Sequence, residues 1–320
     1  MLHLGLGWQW TRTGSAEGTF VIALLGQSNM VGRAGYDGGS LHSNGTQQLG
    51  RAAPNAGVLI PASAPLEHVD PGPNSMGLDI SFSQAWSALN PGADLVLAPE
   101  AEGSTALASG HWQRGGAGYE GAVARINTLM AANPDFTLGG ILWHQGEADA
   151  GNVSYSTMLG QMIADLRSDI TTAGPSTPFV AGQLAPSWVA GVPDRQMVQD
   201  ALSALPGLVA HTAVVSSAGL TVLPDGVHFD AQSLRTLGSR YASALVQAAA
   251  GMGQPITGPA APIAIGTIPD QTDTAEEDAS QGLAPPTPND TIPDQTDPVA
   301  ALAPPMAEGT IPDQQDEVSQ

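Results

Sequence analysis

Four short blocks carry residue types that do chemistry together: Gly26-Gln27-Ser28-Asn29-Met30, Gly103-Ser104-Thr105, His144-Gln145-Gly146-Glu147 and Asp225-Gly226-Val227-His228. A serine hydroxyl becomes a nucleophile toward an ester carbonyl only when a neutral imidazole takes its proton. His228 offers that imidazole, and Asp225 precedes it by three residues across a glycine. A tight loop there lets the carboxylate hold one ring nitrogen while the other faces Ser28, which fixes the tautomer and stabilises the imidazolium that forms. The tetrahedral oxyanion needs donors, for which the backbone amides of Ser28 and Gly103 and the side-chain amide of Gln145 are the candidates. Losing one such donor typically costs about 3 to 4 kcal/mol of transition-state stabilisation. Glu147 and Asp149 read as braces for the loops, and His144 as a core or loop-bracing histidine.

Each block has a plainer reading when taken alone. Glycine and serine end strands for turn reasons. Asp225-Gly226 reads equally as a turn, Asp230 as the cap of a following helix, and Gln145 as an amide tying a loop together. The convergence of the blocks tips the balance, because each stands at the end of a predicted strand or just before the last helix.

The elements that must position them alternate regularly. Thr19 to Leu25 reads as a buried strand, and a Gly/Asn/Pro-rich stretch follows to Met76 as one long loop, of the kind that is functional or disordered. Helical spacing from Leu78 to Leu89 leads to a strand at Ala93 to Ala98. Then come a helix at Tyr119 to Ala132, a strand at Leu138 to Trp143 and a helix at Ser154 to Thr172. A strand at Pro178 to Leu184, a helix at Asp194 to Leu205, a strand at His211 to Ser216 and a helix at Ala231 to Ala250 complete the series. Strands that are apolar throughout, separated by amphipathic helices, predict an α/β fold with a parallel sheet covered on both faces, and sites at the carboxyl ends of its strands.

Composition bounds the rest. The 320 residues, 42% of them hydrophobic, are enough for one full core, and no run approaches the 18 apolar residues of a membrane-spanning helix, so no membrane insertion is expected. There is no cysteine, which excludes disulfides and thiolate chemistry. All nine basic residues are arginine, and the formal charge of −21 makes nucleic acid and anionic membranes poor partners. The N-terminus lacks a basic start, a long apolar core and a small-residue cleavage site, so it does not read as a secretory signal. That predicts a cytoplasmic protein, one exported by another route, or one incorporated into a particle or virion.

The chain divides into an N-terminal segment (1–18), read as an attachment or an extra edge strand, a core domain (19–253) and a tail (254–320). After Gly253 the composition turns to Pro, Ala, Thr, Asp and Glu. Thr-Ile-Pro-Asp-Gln recurs at Thr267, Thr291 and Thr310, and Leu-Ala-Pro-Pro at Leu283 and Leu302. The tail reads as an acidic extended linker, with a repeated docking peptide as the alternative; protein assembly through either terminus is the partner expectation.

In order and spacing, Gly26-Gln27-Ser28-Asn29-Met30, Gly103, Trp143-His144-Gln145-Gly146-Glu147-Ala148-Asp149 and Asp225-x-x-His228 resemble the SGNH hydrolase superfamily. The match is to its sialate O-acetylesterase-like branch, grouped with carbohydrate esterase family 6, and covers roughly residues 19 to 250. The resemblance implies a flavodoxin-like three-layer α/β/α fold and serine esterase chemistry without metal or other cofactor, with acetylated carbohydrate as the substrate. It implies Ser28 as nucleophile, His228 as base and Asp225 as its partner, with Ser28, Gly103 and Gln145 in the oxyanion hole, supported by Gln27, Asn29 and Glu147. Where the family often reads Gly-Gly-Thr-Ser, this chain has Gly103-Ser104-Thr105-Ala106, preceded by Glu100 and Glu102. Those carboxylates favour a neutral acetylated sugar over an acidic one, Arg33 and Arg114 being the counter-examples. Sugar contacts are expected from the loop Tyr36 to Met76, from Arg33 and from Trp112 and Arg114. The alternatives are a non-catalytic glycan-binding module of a larger assembly and a general short-chain carboxylesterase.

Overall fold

The computed structural model describes residues 17–252 apart from 36 and 38–41, and of residues 42–44 the backbone only. The repeated tail and all but the end of the N-terminal segment lie outside the described residues.

In chain order the strands are β1 (Gly18–Gly26), β2 (Ala34–Gly35), β3 (His42–Leu49), β4 (Leu59–Ser63), β5 (Ser75–Met76), β6 (Ala93–Pro99), β7 (Thr137–His144), β8 (Phe179–Gly182) and β9 (Thr212–Val215). The helices are α1 (Ser28–Val31), α2 (Asp79–Leu89), α3 (Ala117–Ala132), α4 (Tyr155–Asp169), α5 (Pro186–Val189), α6 (Pro193–Leu208) and α7 (Ala231–Ala249). Seven strands form one sheet in the order β4-β3-β6-β1-β7-β8-β9, parallel except for β4. β2 and β5 form a separate antiparallel ribbon.

β1 is central because its sequence permits nothing else. Val21 to Leu25 are wholly buried between β6 and β7. At about 1.5 to 3 kcal/mol per buried apolar side chain, that run far outweighs the roughly 1 kcal/mol entropic cost of the glycine that ends it. The chain leaves β1 toward β6 and β3 on one side, whereas after β7 it proceeds outward to β8 and β9. The carboxyl ends of β1 and β7 are therefore the topological switch point, where open α/β sheets place their sites.

Helices connect the parallel strands and pack against one another over the sheet. α2 and α7 pack on each other so closely that a Cβ on Gly238 would fall 2.2 Å from Leu78 O and 2.6 Å from Phe82 N, so only glycine fits. α4 packs on α6, and α3 is tied to α4 by Asn127, which donates to Asp169 O at 2.9 Å. Among the described residues no helix is long and apolar enough to cross a membrane.

The expected long loop from Tyr36 to Met76 is a correction. It contains β3 and β4, which extend the sheet by two strands, with β4 as an antiparallel edge. These strands lack an apolar signature because β3 buries polar groups: Thr46 and Gln48 are enclosed, and Gln48 Oε1 accepts the Glu67 amide at 2.8 Å.

Candidate active site

The serine turn is dictated by Gly26. With φ at 126°, a Cβ there would lie 2.2 Å from His144 O, so only glycine lets β1 close against β7 at this point. Gln27 N then donates to His144 O at 2.9 Å, and its Oε1 accepts from Ala148 N at 3.2 Å, tying the serine turn to the turn after β7. Ser28 opens α1, and its amide donates to no acceptor among the described residues.

From the far end of the chain, the segment between β9 and α7 folds back on itself, Leu223 N donating to His228 O at 2.7 Å and Gly226 N to Leu223 O at 3.0 Å. This loop brings Asp225 Oδ2 to 2.7 Å from His228 Nδ1, and His228 Nε2 to 2.9 Å from Ser28 Oγ. Asp225 Oδ1 accepts the Val227 and His228 amides at 2.8 and 2.9 Å. Burial works against the Asp225 charge, but those hydrogen bonds prevail and hold its carboxyl below the ordinary aspartate value. An ionised carboxylate at Nδ1 requires the ring hydrogen there, which leaves Nε2 a bare acceptor for the serine proton.

The expected oxyanion donors are differently disposed. Gly103 N donates to Asp70 Oδ1 at 2.9 Å. Both hydrogens of the Gln145 amide are taken, by Thr105 O at 3.1 Å and Asp149 Oδ2 at 2.7 Å, and its Oε1 accepts from Tyr155 Oη at 3.1 Å. Gln145 is thus bound on every side and wholly buried, an amide that ties loops together, and of the three candidates only the Ser28 amide is uncommitted. Asp149 is the hub of this bracing, accepting also from Leu107 N, Ala108 N and Asn152 Nδ2 at 2.7, 2.9 and 2.8 Å. Ser104 stands at φ 61°, a left-handed conformation that a glycine would adopt freely.

The three expected sugar contacts all have partners within the protein. Trp112 is 1% exposed, packed edge-on to Trp143 at 5.4 Å with its Nε1 donating to Thr105 Oγ1 at 2.8 Å, so it has no face to offer a sugar. Arg114 forks onto Asp169 at 2.7 and 2.8 Å, with Asp165 at 3.1 Å, and pins the loop before α3 to α4. Arg33 pairs with Asp70 Oδ2 at 2.6 Å. Glu100, expected to repel acidic sugars, is buried between Arg51 and Arg125, and Glu102 faces His111 Nε2 at 3.1 Å.

His144 is a core histidine. The Tyr241 hydroxyl donates to Trp143 O at 2.7 Å, so it accepts from His144 Nδ1 at 3.0 Å, and burial lowers the ring's pKa to about 4. Sequence reasoning missed Asp70, Tyr155 and Tyr241. The first sits in an irregular loop and the tyrosines carry no motif, so only the fold shows that they touch Gly103, Gln145 and His144.

A doubly covered, mostly parallel sheet with this serine–histidine pair at its switch point is the architecture of an SGNH-type hydrolase. The chain belongs to the carbohydrate esterase, sialic acid-specific acetylesterase family, which it matches over residues 19–247, and is accordingly a hydrolase acting on acetyl esters. Among solved structures it is similar in fold to a protein from Arabidopsis thaliana, with 24% identity, 72% of this chain and 98% of that one covered and a TM-score of 0.62. It is similar also to NanS, with 17% identity, 73% and 98% covered and a TM-score of 0.60. A third likeness is to a carbohydrate acetylesterase from Xanthomonas citri, with 19% identity, 73% and 57% covered and a TM-score of 0.52.

Proposed function

We propose that the chain removes O-acetyl groups from carbohydrate through an acetyl-serine intermediate, with Ser28 as nucleophile, His228 as general base and acid, and Asp225 as its orienting anion. The observation that carries this reading is the continuous chain Asp225 Oδ2, His228, Ser28 Oγ, with links of 2.7 and 2.9 Å. His228 Nε2 takes the serine proton as Oγ attacks the acetyl carbon. The imidazolium, stabilised by Asp225, returns that proton to the departing sugar oxygen as the ester bond breaks. Water then attacks the acetyl-serine with the same base, releasing acetate and restoring the hydroxyl. Each proton moves between imidazole and oxygen, so the mechanism calls for no metal.

The Ser28 amide serves the oxyanion directly, and the Gly103 amide joins it when Asp70 is drawn away. With Arg33 and Arg114 engaged in internal ion pairs, an acetylated neutral saccharide is the substrate class this reading favours. Hydrolysis of 4-nitrophenyl acetate and acetate release from acetylated oligosaccharides test it: Ser28→Ala and His228→Ala should each lower kcat by about 10⁴- to 10⁶-fold with the fold intact. Turnover at the parent rate in either variant would refute it. The reading places the chemistry in residues 19–253, so a chain shortened to 17–253 should keep its kcat.

A further inference from the structure

Asn29 places every polar atom of its side chain around the proposed base. Its Oδ1 accepts from Phe229 N at 3.0 Å and its Nδ2 donates to Val227 O at 3.3 Å. One side chain thereby bonds the backbone on both sides of His228, as the peptide of a neighbouring strand would. The remaining Nδ2 hydrogen goes to Glu147 Oε1 at 2.6 Å. An amide's oxygen and nitrogen are nearly equal in shape, so partners alone fix which way it faces. Turned by half a rotation, Asn29 would aim its oxygen at the Val227 carbonyl and the Glu147 carboxylate, and its NH₂ at the Phe229 N–H.

Glu147 is a poor choice for stability. Its Oε2 is buried and has no hydrogen-bond partner among the described residues, and burial raises its carboxyl above the ordinary glutamate value. Leaving a buried polar atom unmatched costs stability, because its lost hydration is not repaid. A group that costs stability and contacts the amide holding the base calls for a functional account.

We propose that Glu147 is a positioning residue for the hydrolysis, fixing the orientation of Asn29 and through it the backbone of His228 and the 2.9 Å approach of Nε2 to Ser28 Oγ. This rests on the Ser28–His228–Asp225 reading. Neither Asn29 nor Glu147 is assigned a contact with the reacting atoms, so their loss falls on kcat and not on KM. A displacement of about 1 Å at a reacting group costs on the order of 100-fold in rate.

The test is a double-mutant cycle in the full chain, with kcat, KM and melting temperature measured on 4-nitrophenyl acetate for Asn29→Ala, Glu147→Ala, the double variant and Glu147→Gln. Each alanine variant should lose about 10- to 100-fold in kcat with KM within about twofold, and the double variant should be no worse than the weaker single, because the two act in series. Glu147→Gln keeps an oxygen that accepts the same hydrogen, so it should stay within about threefold of the parent kcat. Losses that multiply, a glutamine variant as slow as the alanine one, or a loss carried by KM would overturn the proposal. Should Glu147→Ala not fold, the glutamine variant set against Asn29→Ala still decides it. Ser28→Ala measured alongside separates the two readings: turnover there refutes the site itself, whereas an inactive Ser28→Ala with a failed cycle refutes only the role of Glu147.

Discussion

On one side of Ser28, the loop of residues 222–229 folds on itself and presents the His228 ring to the serine; on the other, the loop of residues 100–114 spends its polar atoms on the protein itself. His228 is bonded at both ring nitrogens in line with Ser28 Oγ, and remains a quarter exposed. Gly103, Thr105, Leu107, Ala108, Trp112 and Arg114 bond to Asp70, Gln145, Asp149, one another or Asp169. The difference teaches that residue type points to a candidate for proton transfer more readily than to a hydrogen-bond donor. An imidazole with a carboxylate three residues away has few other uses, whereas an amide or an arginine has many.

The largest expected effect tests the proton-transfer flank. Asp225→Asn keeps the shape but offers Nδ1 an amide in place of a charge, and should lower kcat on the order of 10⁴-fold with little change in melting temperature. A loss under tenfold would mean that Asp225 only shapes the loop.

The buried histidines sharpen the contrast with His228. Burial lowers His144 to about 4 and His68 to about 3, the latter with Arg51 and Arg33 adding to the effect. A histidine depressed in the folded state contributes stability that is complete above its unfolded pKa of about 6.5 and is lost as pH falls toward the folded value, on the order of 3 kcal/mol or more each. Asp79 runs the other way: burial raises it to about 6, so its contribution is complete below about 4 and is lost as pH rises through 6. Burial raises Glu100 and Glu147 as well, and they act in the same sense as Asp79, so the histidine contribution is read by comparison. In urea unfolding, stability should fall more between pH 6.5 and 4 for the parent than for His68→Gln; equal changes would contradict the depressed titration of that buried ring.

On the braced flank, Gln145→Ala separates the two uses of an amide. As a brace, its removal leaves Thr105 O without its donor, takes from Asp149 Oδ2 one of two donors, the other being Leu107 N, and should cost about 1 to 3 kcal/mol of stability. As an oxyanion donor it would instead cost about 10²- to 10³-fold in kcat with the melting temperature kept. The geometry predicts the first. Smallest of all, Arg33→Ala should cost at most about 1 kcal/mol of stability, since its partner Asp70 is nearly half exposed. A large rise in KM for an acidic sugar in that variant would restore Arg33 as a substrate contact.

Much of the fold was legible because its strands are apolar without interruption: Val21 to Leu25 and Ile141 to Trp143 have no other home than a covered sheet. β3 was not, because Thr46 and Gln48 fill buried positions with groups that only the folded neighbours satisfy. The residues Ser28, His228 and Asp225 were legible by type and spacing. The commitments of Gln145, Gly103 and Trp112 were not, since Asp149, Asp70 and Thr105 meet them only after the sheet has closed.

The central claim is that Ser28 carries the acetyl group. Rapid acid quenching during turnover of 4-nitrophenyl acetate, followed by peptide mass spectrometry, tests it directly. The account predicts one acetyl adduct on the peptide holding Ser28, formed in the parent and absent from Ser28→Ala. Undiminished turnover in Ser28→Ala, or an adduct that forms on another residue at the rate of turnover, would contradict it.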